Sequence, residues 1–444
     1  MEISSKPNPI PHKSNPFHHA TVINLGCPKN LVETERVCHL LVSNGVSIVS
    51  QNDIFDALFI NSCCFLKASR AETLDLVAQY YSKDKLHIIV FGCYATRYTE
   101  ELKKLFPRVI IISDPDPCRG IHQYFFCNTS PLVNSRKLSN PYTAYLKIAE
   151  GCDRACSFCL IPSIKGSFRS FPLSSLLDEV EKLHTAYPLK EIVLIAQDTA
   201  SYGKDLPPHT ANNLIRLLYE LDKISLVPWI RILYLFPSLS FQFLDEMFSI
   251  PSVLPYLDMP LQHINPQILR LMNRPTNIDA TLLQLETLKK KHQNMVFRST
   301  FIVGFPDESQ KQFDELCSFI TSFKYQRAGF FAYSDEIDAP SYHLPNKIPQ
   351  IEAEERLKTV YSLQNDISME FHQTLIGKTL TVLAESWNGI SRKLTGRSIY
   401  DAPEIDYNVS ISCSSPRDSA RLGKLIPVKI TSIDGTQLKG IIHE

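Results

Sequence analysis

The chain has 444 residues, enough for two to four domains with separate cores. Its 46 basic and 46 acidic residues cancel, so no global field draws it onto nucleic acid or an anionic membrane, and any such partner has to be recognised locally. At 44% hydrophobic and 21% charged residues the composition is that of a soluble globular protein; no apolar run spans a bilayer and residues 1–20 lack the basic start and apolar stretch of a secretory leader, so the twelve cysteines are expected as reduced thiols in a cytoplasm.

Residues 1–18 carry four prolines and no hydrophobic period, the pattern of a disordered tail, and His12, His18 and His19 are given no role. Over 19–133 the pattern is strand, turn, helix, repeated, which predicts an open, mostly parallel α/β sheet. Residues 21–25 run into Gly26-Cys27, 57–60 into Asn61-Ser62-Cys63, and 87–91 into Gly92-Cys93, with helical periods over 33–43 and 68–81. Strand C-termini of such a sheet share one edge, where ligands bind, so Cys27, Cys63 and Cys93 are expected to meet there as a three-thiolate site. Cys64, next to Cys63, should point the other way. Cys38, Cys118, Cys127, Cys317 and Cys413 read as small apolar residues.

Residues 134–141 are polar and turn-rich, a linker into a central domain taken as 138–372. There Cys152, Cys156 and Cys159 lie within eight positions, as CxxxCxxC, after a short apolar strand. The spacing suits a loop wrapped round a cube-shaped iron–sulfur cluster whose fourth iron has no protein ligand, an open position at which a co-substrate can bind. Zinc usually takes four ligands in CxxC pairs, and no second pair or CxxC-HxxxH partner lies nearby. A disulfide framework does not suit a long chain without a leader. A cluster for electron transfer alone normally brings a fourth cysteine in a tight run ending Cys-Pro, whereas Cys159 is followed by Leu160, Ile161 and Pro162.

Strand patterns over 144–149, 191–196, 229–234, 254–259, 296–303 and 328–333, separated by helical ones such as 172–186, 212–221 and 308–323, predict six βα units in a parallel or partial barrel. Its working residues belong at the strand C-termini, where Gln197-Asp198-Thr199, Pro260-Leu261-Gln262-His263 and Gly304-Phe305-Pro306 stand. Asp198 could instead cap the next turn, His263 could be a hydrogen-bonded core histidine, and Gly304 suits a tight turn or the close approach of a bound adenosine. A helix over 351–376 presents Leu357, Val360, Tyr361, Ile367, Phe371 and Leu375 on one face, to pack on the barrel. Residues 373–444 read as a small antiparallel β-barrel with strands near 379–384, 426–433 and 438–442. Nine basic and seven acidic residues, with an acidic patch at Asp401-Ala402-Pro403-Glu404-Ile405-Asp406, make that domain weakly charged for an RNA binder.

CxxxCxxC with Phe158 before its last cysteine resembles the signature of the radical S-adenosylmethionine enzymes, in which the open iron binds S-adenosylmethionine and one electron cleaves it to a 5′-deoxyadenosyl radical. With the cysteine-bearing α/β domain and the C-terminal TRAM-like barrel, the chain resembles the methylthiotransferase family from about residue 20 to its end. The resemblance implies two 4Fe-4S clusters and S-adenosylmethionine as cofactors. Cys152, Cys156 and Cys159 would ligate the radical-generating cluster and Cys27, Cys63 and Cys93 the second, thought to present sulfur. Gln197 and Gly304 would contact S-adenosylmethionine, and no catalytic side chain is assigned.

Ala196-Gln197-Asp198-Thr199, Leu257-Asp258-Met259-Pro260-Leu261-Gln262-His263 and the 401–406 motif resemble the branch that methylthiolates the β-carbon of an aspartate in the twelfth small-subunit ribosomal protein, free or on the ribosome. An electron donor and a sulfur donor would be further partners, with no membrane. The transfer-RNA adenosine branch and a non-enzymatic iron–sulfur electron carrier are the alternatives. The chain departs from the family pattern at Cys64 and Asp307, where glycine is usual, and at Lys165 and Phe171, where arginine is.

Overall fold

The computed structural model describes residues 17–126, 135–207, 213–274 and 277–443. Its contacts divide the chain into one unit of Met1–Ser139 with Ser163–Lys165 and another of Asn140–Pro162 with Gly166–Glu444. Of the tail expected over 1–18, residues 1–16 lie outside the described residues, as does Cys127. Phe17 is not tail: it is fully buried, its ring edge-on to Phe59 at 5.7 Å and Phe125 at 4.9 Å.

The first unit runs β1 (His19–Asn24), α1 (Pro28–Ser43), β2 (Ser47–Ile48), β3 (Ala57–Ser62), α2 (Lys67–Tyr81), β4 (His87–Gly92), α3 (Cys93–Arg97), α4 (Thr99–Leu105), β5 (Ile110–Ile111) and α5 (Pro117–Phe125). All strand pairs are parallel, in the order β2-β1-β3-β4-β5. β3 and β4 read as unbroken apolar runs because both faces of the sheet are covered. Val37, Leu40 and Leu41 of α1 and Ile121 of α5 pack with Phe59, Ile89 and Phe91. Val77 of α2 and Leu102 of α4 pack with Leu58, Ile60, Ile88 and Val90. The polar segment expected as a linker is pinned to α1: Glu35, buried, takes Arg136 Nη1 at 3.0 Å and the Ser139 hydroxyl at 2.7 Å. Its polarity serves a buried carboxylate rather than solvent.

The second unit begins with β6 (Thr143–Lys147), β7 (Ala149–Glu150), the start of α6 (Ile161–Lys165), whose Ser163–Lys165 belong to the first unit, β8 (Arg169–Ser170), α7 (Leu173–Ala186), β9 (Glu191–Ile195), α8 (Leu214–Ile224), β10 (Trp229–Ile232), α9 (Phe241–Phe248) and β11 (Tyr256–Asp258). α10 (Pro266–Leu271), α11 (Ile278–Lys291), β12 (Val296–Val303), α12 (Gln310–Phe323) and β13 (Arg327–Ala332) follow. Two parallel sheets, β10-β9-β6 and β11-β12-β13, are joined by a parallel bridge between Ile230 and Val253, which gives the six-stranded partial barrel that the βα pattern predicts.

α13 (Gln350–Gln373) leads to β14 (Thr379–Asn388), β15 (Lys393–Ser398), β16 (Val409–Ser412), β17 (Leu425–Asp434) and β18 (Gln437–Ile442), which close into a barrel in the order β14-β15-β16-β18-β17. Its pairs are antiparallel except β16 with β18, which is parallel and departs from an all-antiparallel barrel. The buried face of α13 shares Val360 and Ile367 with the one expected but is turned toward polar residues. Tyr361 is 49% exposed, and the buried stripe includes Ala353, Arg356, Val360, Gln364, Ile367 and Ser368. Two of its polar members are anchored: Gln364 Nε2 donates to the Tyr325 carbonyl at 2.8 Å, and Arg356 Nη1 pairs with Glu308 Oε2 at 2.7 Å.

The acidic patch at 401–406 is likewise corrected. Asp401, 1% exposed, pairs with Arg327 Nη2 at 2.6 Å, and Asp406 accepts from the Tyr256 hydroxyl at 2.5 Å. Both partners start barrel strands, so these carboxylates dock the C-terminal barrel on the N-terminal mouth of the central one. They are not a surface that would repel RNA.

Candidate metal centres

The three strand ends of the first unit close round a pair of asparagines. Asn30, on the first turns of α1, donates through Nδ2 to Asn61 Oδ1 at 3.1 Å, and Asn61 Nδ2 donates to the Asn30 carbonyl at 2.8 Å and to Thr34 Oγ1 at 3.0 Å. The same Asn30 amide touches two of the thiols: the Cys27 thiol donates to its Oδ1 at 3.3 Å, and its Nδ2 lies 3.9 Å from Cys93 Sγ.

This clamp explains why glycine precedes two of the cysteines. A Cβ on Gly26 would stand 2.4 Å from Asn30 Cγ, and one on Gly92, at φ +87°, would stand 2.1 Å from Asn61 Oδ1. At the third strand end Ser62 donates to the Phe91 carbonyl at 2.5 Å and accepts from Ala95 N at 3.2 Å, which fixes β3 beside β4. Gly92→Ala is therefore expected to destabilise the chain by about 3 kcal/mol, from a left-handed backbone cost of roughly 1–2 kcal/mol plus overpacking of roughly 1–3 kcal/mol. Denaturant unfolding followed by circular dichroism measures it, and an unchanged midpoint would contradict this account.

Burial raises the Cys63 thiol, which has Cys27 among its electrostatic neighbours, and pushes Cys93 up to about 12, with Cys63 and Cys64 among its own. Cys27 and Cys93 share the Asn30 amide, and Cys63 follows the end of the strand between theirs. Cys64 is fully buried in the apolar core beside Val77 and Val90, whereas Cys63 is partly open. Cys118 is buried in the opposite core, and Cys413 packs against the C-terminal barrel core. The described cysteines are all free thiols.

In the second unit the CxxxCxxC loop lies between β7 and β8, which pair antiparallel through Ala149 with Ser170 and Glu150 with Arg169. The end of α10 cradles it: Ser157 N donates to the Met272 carbonyl at 3.0 Å, Ser157 Oγ to the Leu271 carbonyl at 2.7 Å, and Asn273 Nδ2 to the Ala155 carbonyl at 2.7 Å. Each thiol sulfur accepts one N–H. Cys152 takes it from Arg154 N at 3.4 Å, Cys159 from Ile161 N at 3.5 Å and Cys156 from Arg274 Nη1 at 3.6 Å. Burial raises the Cys152 thiol and pushes Cys159 up to about 12, and both count Cys156 among their electrostatic neighbours. Cys63, Cys93, Cys152 and Cys159, raised in this way, are protonated at neutral pH, so a metal bound by them would displace their protons.

Among the described residues no group of His, Cys, Asp or Glu side chains converges to hold a single metal ion.

At the strand ends Gln197 is half-buried; its Nε2 donates to Glu150 Oε1 at 2.6 Å, and its Oε1 is buried without a partner. Asp198 does not cap the turn after it. Its Oδ2 pairs with Arg154 Nε at 2.8 Å and accepts from Ser201 Oγ at 2.7 Å, while Oδ1 is buried and unpaired. Gln262 holds a left-handed φ of 74° and also buries an unpaired Oε1. A cleft lined by Asp153, Arg154, Phe168 and Asp198 opens beside the loop.

His263 is a core histidine: Nδ1 accepts from Asn265 N at 2.9 Å, and Nε2 meets Glu308 Oε1 at 3.1 Å. Gly304 has φ +70°, and a Cβ there would stand 2.4 Å from Ala353 Cβ, so packing against α13 already demands glycine. Asp307 takes the left-handed conformation at φ 66° that glycine would adopt freely, held by Asn346 Nδ2 at 2.5 Å. Sequence reasoning missed Asn30, Asn61, Arg154 and Arg274. Asn30 and Asn61 did carry a signal, Asn30 in Cys27-Pro28-Lys29-Asn30 and Asn61 in Asn61-Ser62-Cys63, each close to a strand-end cysteine.

Three family models match the chain: "Uncharacterized protein family UPF0004" over residues 19–113, "Radical SAM superfamily" over 146–320 and "TRAM domain" over 376–442. Among curated relatives, the ribosomal protein uS12 methylthiotransferase RimO of Desulforamulus reducens is 38% identical over 92% of this chain and 96% of its own length. RimO of Thermosipho africanus is 37% identical over 95% of this chain and 98% of its own. RimO of Aquifex aeolicus is 35% identical over 94% and 96%. Likeness of this extent, through all three matched regions, places the chain in the RimO family of radical S-adenosylmethionine methylthiotransferases.

Proposed function

We propose that the chain attaches a methylthio group to the β-carbon of an aspartate in ribosomal protein uS12, the twelfth protein of the small subunit, with two 4Fe-4S clusters and S-adenosylmethionine. The observation that carries the reading is the pair of separate thiol triads in a chain of this family. Cys152, Cys156 and Cys159 would hold one cluster and Cys27, Cys63 and Cys93 the other. When bound, the groups supply one-electron cleavage of S-adenosylmethionine to a carbon radical at the first site, sulfur at the second, and a methyl group from a second S-adenosylmethionine.

The donor set fits such a ligand. Each triad brings three sulfurs, and the buried Oε1 of Gln197, Oδ1 of Asp198 and Oε1 of Gln262 are acceptors that the amino and hydroxyl groups of S-adenosylmethionine would satisfy. Gln197 serves best as a contact, because Glu150 already fixes its amide. Gly304 contributes the turn that α13 packs against. Arg154 and Asp198 tie the cysteine loop to the end of β9. The reading calls for an external one-electron donor, a sulfide source and a reducing cytoplasm; among the described residues no helix is long and apolar enough to cross a membrane.

Mass spectrometry of uS12 from a strain lacking this chain tests the reading. The peptide carrying the aspartate is expected to lose the mass of one methylthio group and to regain it on complementation. Unchanged uS12, with a methylthio group missing from transfer RNA instead, would overturn it.

A further inference from the structure

We infer that Arg274 is a positioning residue that sets the reduction potential of the cluster held by Cys152, Cys156 and Cys159. The inference rests on the reading that these cysteines hold a cluster, and it concerns a side chain to which that reading gives no task. Of the three sulfurs in the loop, two accept a neutral backbone N–H, while Cys156 accepts from a guanidinium, Arg274 Nη1, at 3.6 Å.

The cation is held in place by several contacts. Nη2 donates to the Pro260 carbonyl at 2.8 Å, and the guanidinium carbon lies 4.3 Å from the centre of the Phe236 ring, which also carries Arg154 at 3.9 Å. The preceding Asn273 is fixed at φ 51° and bonded to the loop at Ala155. Arg274 is 5% exposed, so water screens its charge little. Asp198, a carboxylate among its electrostatic neighbours, pairs through Oδ2 with Arg154 instead.

A charged N–H donor on a ligand sulfur draws off electron density and favours the reduced, more negative form of the centre. Arg274 would thus make the cluster easier to reduce by a low-potential one-electron donor. A merely structural arginine would leave the potential where it is.

The test is a potentiometric titration with dithionite, followed by electron paramagnetic resonance, on the full chain reconstituted with iron and sulfide. It is run in the Cys27→Ala, Cys63→Ala, Cys93→Ala background so that one cluster is read. Arg274→Gln is expected to keep the iron content of its parent and to lower the equilibrium constant for reduction about tenfold, a shift of about 59 mV to more negative potential. Arg274→Lys, which keeps the charge without the planar fork, is expected to recover part of the shift.

An unchanged potential in iron-replete Arg274→Gln overturns the inference. If that variant loses its iron, the potential is read on Arg274→Lys, where equality with the parent overturns it. Iron loss in both makes Arg274 a folding residue and overturns it as well. Absence of iron from the parent's loop would sink the functional reading instead.

Discussion

A chain with Cys27, Cys63 and Cys93 all replaced by Ala is expected to bind about half the iron of the native chain after anaerobic reconstitution, since each triad would hold one of two similar clusters. It should still cleave S-adenosylmethionine to 5′-deoxyadenosine while attaching no methylthio group to uS12. The partition follows from where the thiols sit. One triad hangs on the C-terminal ends of β1, β3 and β4 and on the Asn30–Asn61 clamp; the other is a local loop held by β7, β8 and the end of α10. The reciprocal replacement of Cys152, Cys156 and Cys159 should also leave about half the iron, but abolish 5′-deoxyadenosine. Iron analysis beside chromatography of 5′-deoxyadenosine reads both, with circular dichroism to confirm folding. Full iron in either folded variant would remove that triad from the list of ligands.

The parts legible in the sequence are those where one local rule had no competitor. β12 occupies 296–303 as the apolar period predicted, and the parallel order of the first sheet follows from strand and helix alternation. Three Gly-Cys or Ser-Cys strand ends pointed to one sheet edge, and the structure adds the reason: the glycines make room for asparagines that bond across it.

What could not be read is polar burial. Asp198 looks like a turn cap until Arg154, forty-four residues earlier, takes its carboxylate. The stripe of α13 that packs inward contains Arg356, Gln364 and Ser368 beside Val360 and Ile367, so a search for apolar spacing finds only part of it. Asp401 and Asp406 look like an exposed acidic patch because their partners, Arg327 and Tyr256, lie far off in sequence. In each case a long-range ionic or hydrogen-bonded partner overrides the local reading.

The same kind of burial sets the second large effect. Arg397→Met is expected to destabilise the contact between the C-terminal barrel and the central barrel by about 3–5 kcal/mol, the usual result of removing one partner from a buried ion pair. Arg397 Nη2 lies 2.6 Å from Glu191 Oε2 and 2.8 Å from Glu385 Oε1, and Glu191 in turn holds Arg231 Nε at 2.7 Å. Glu191 and Arg231 are 0% exposed, so the variant leaves two buried or half-buried carboxylates with a single guanidinium. Methionine fills the volume without restoring charge, which isolates the electrostatic loss from a cavity.

The pH dependence carries a sign that packing alone would not. Burial by itself would raise Glu191, but Arg397 and then Arg231 outweigh it and hold the carboxyl below its ordinary 4.5. The native pair therefore adds stability above that value and loses it as the pH falls through the depressed one. In Arg397→Met the depression weakens, Glu191 protonates more readily, and the penalty should shrink as the pH falls toward 4.5 and below. The chain's two tryptophans report from both sides of the contact, Trp229 at the start of β10 and Trp387 in β14. Single Trp→Phe variants, unfolded in urea at two pH values, separate the two signals. A penalty independent of pH would show that Arg397 acts through shape rather than charge.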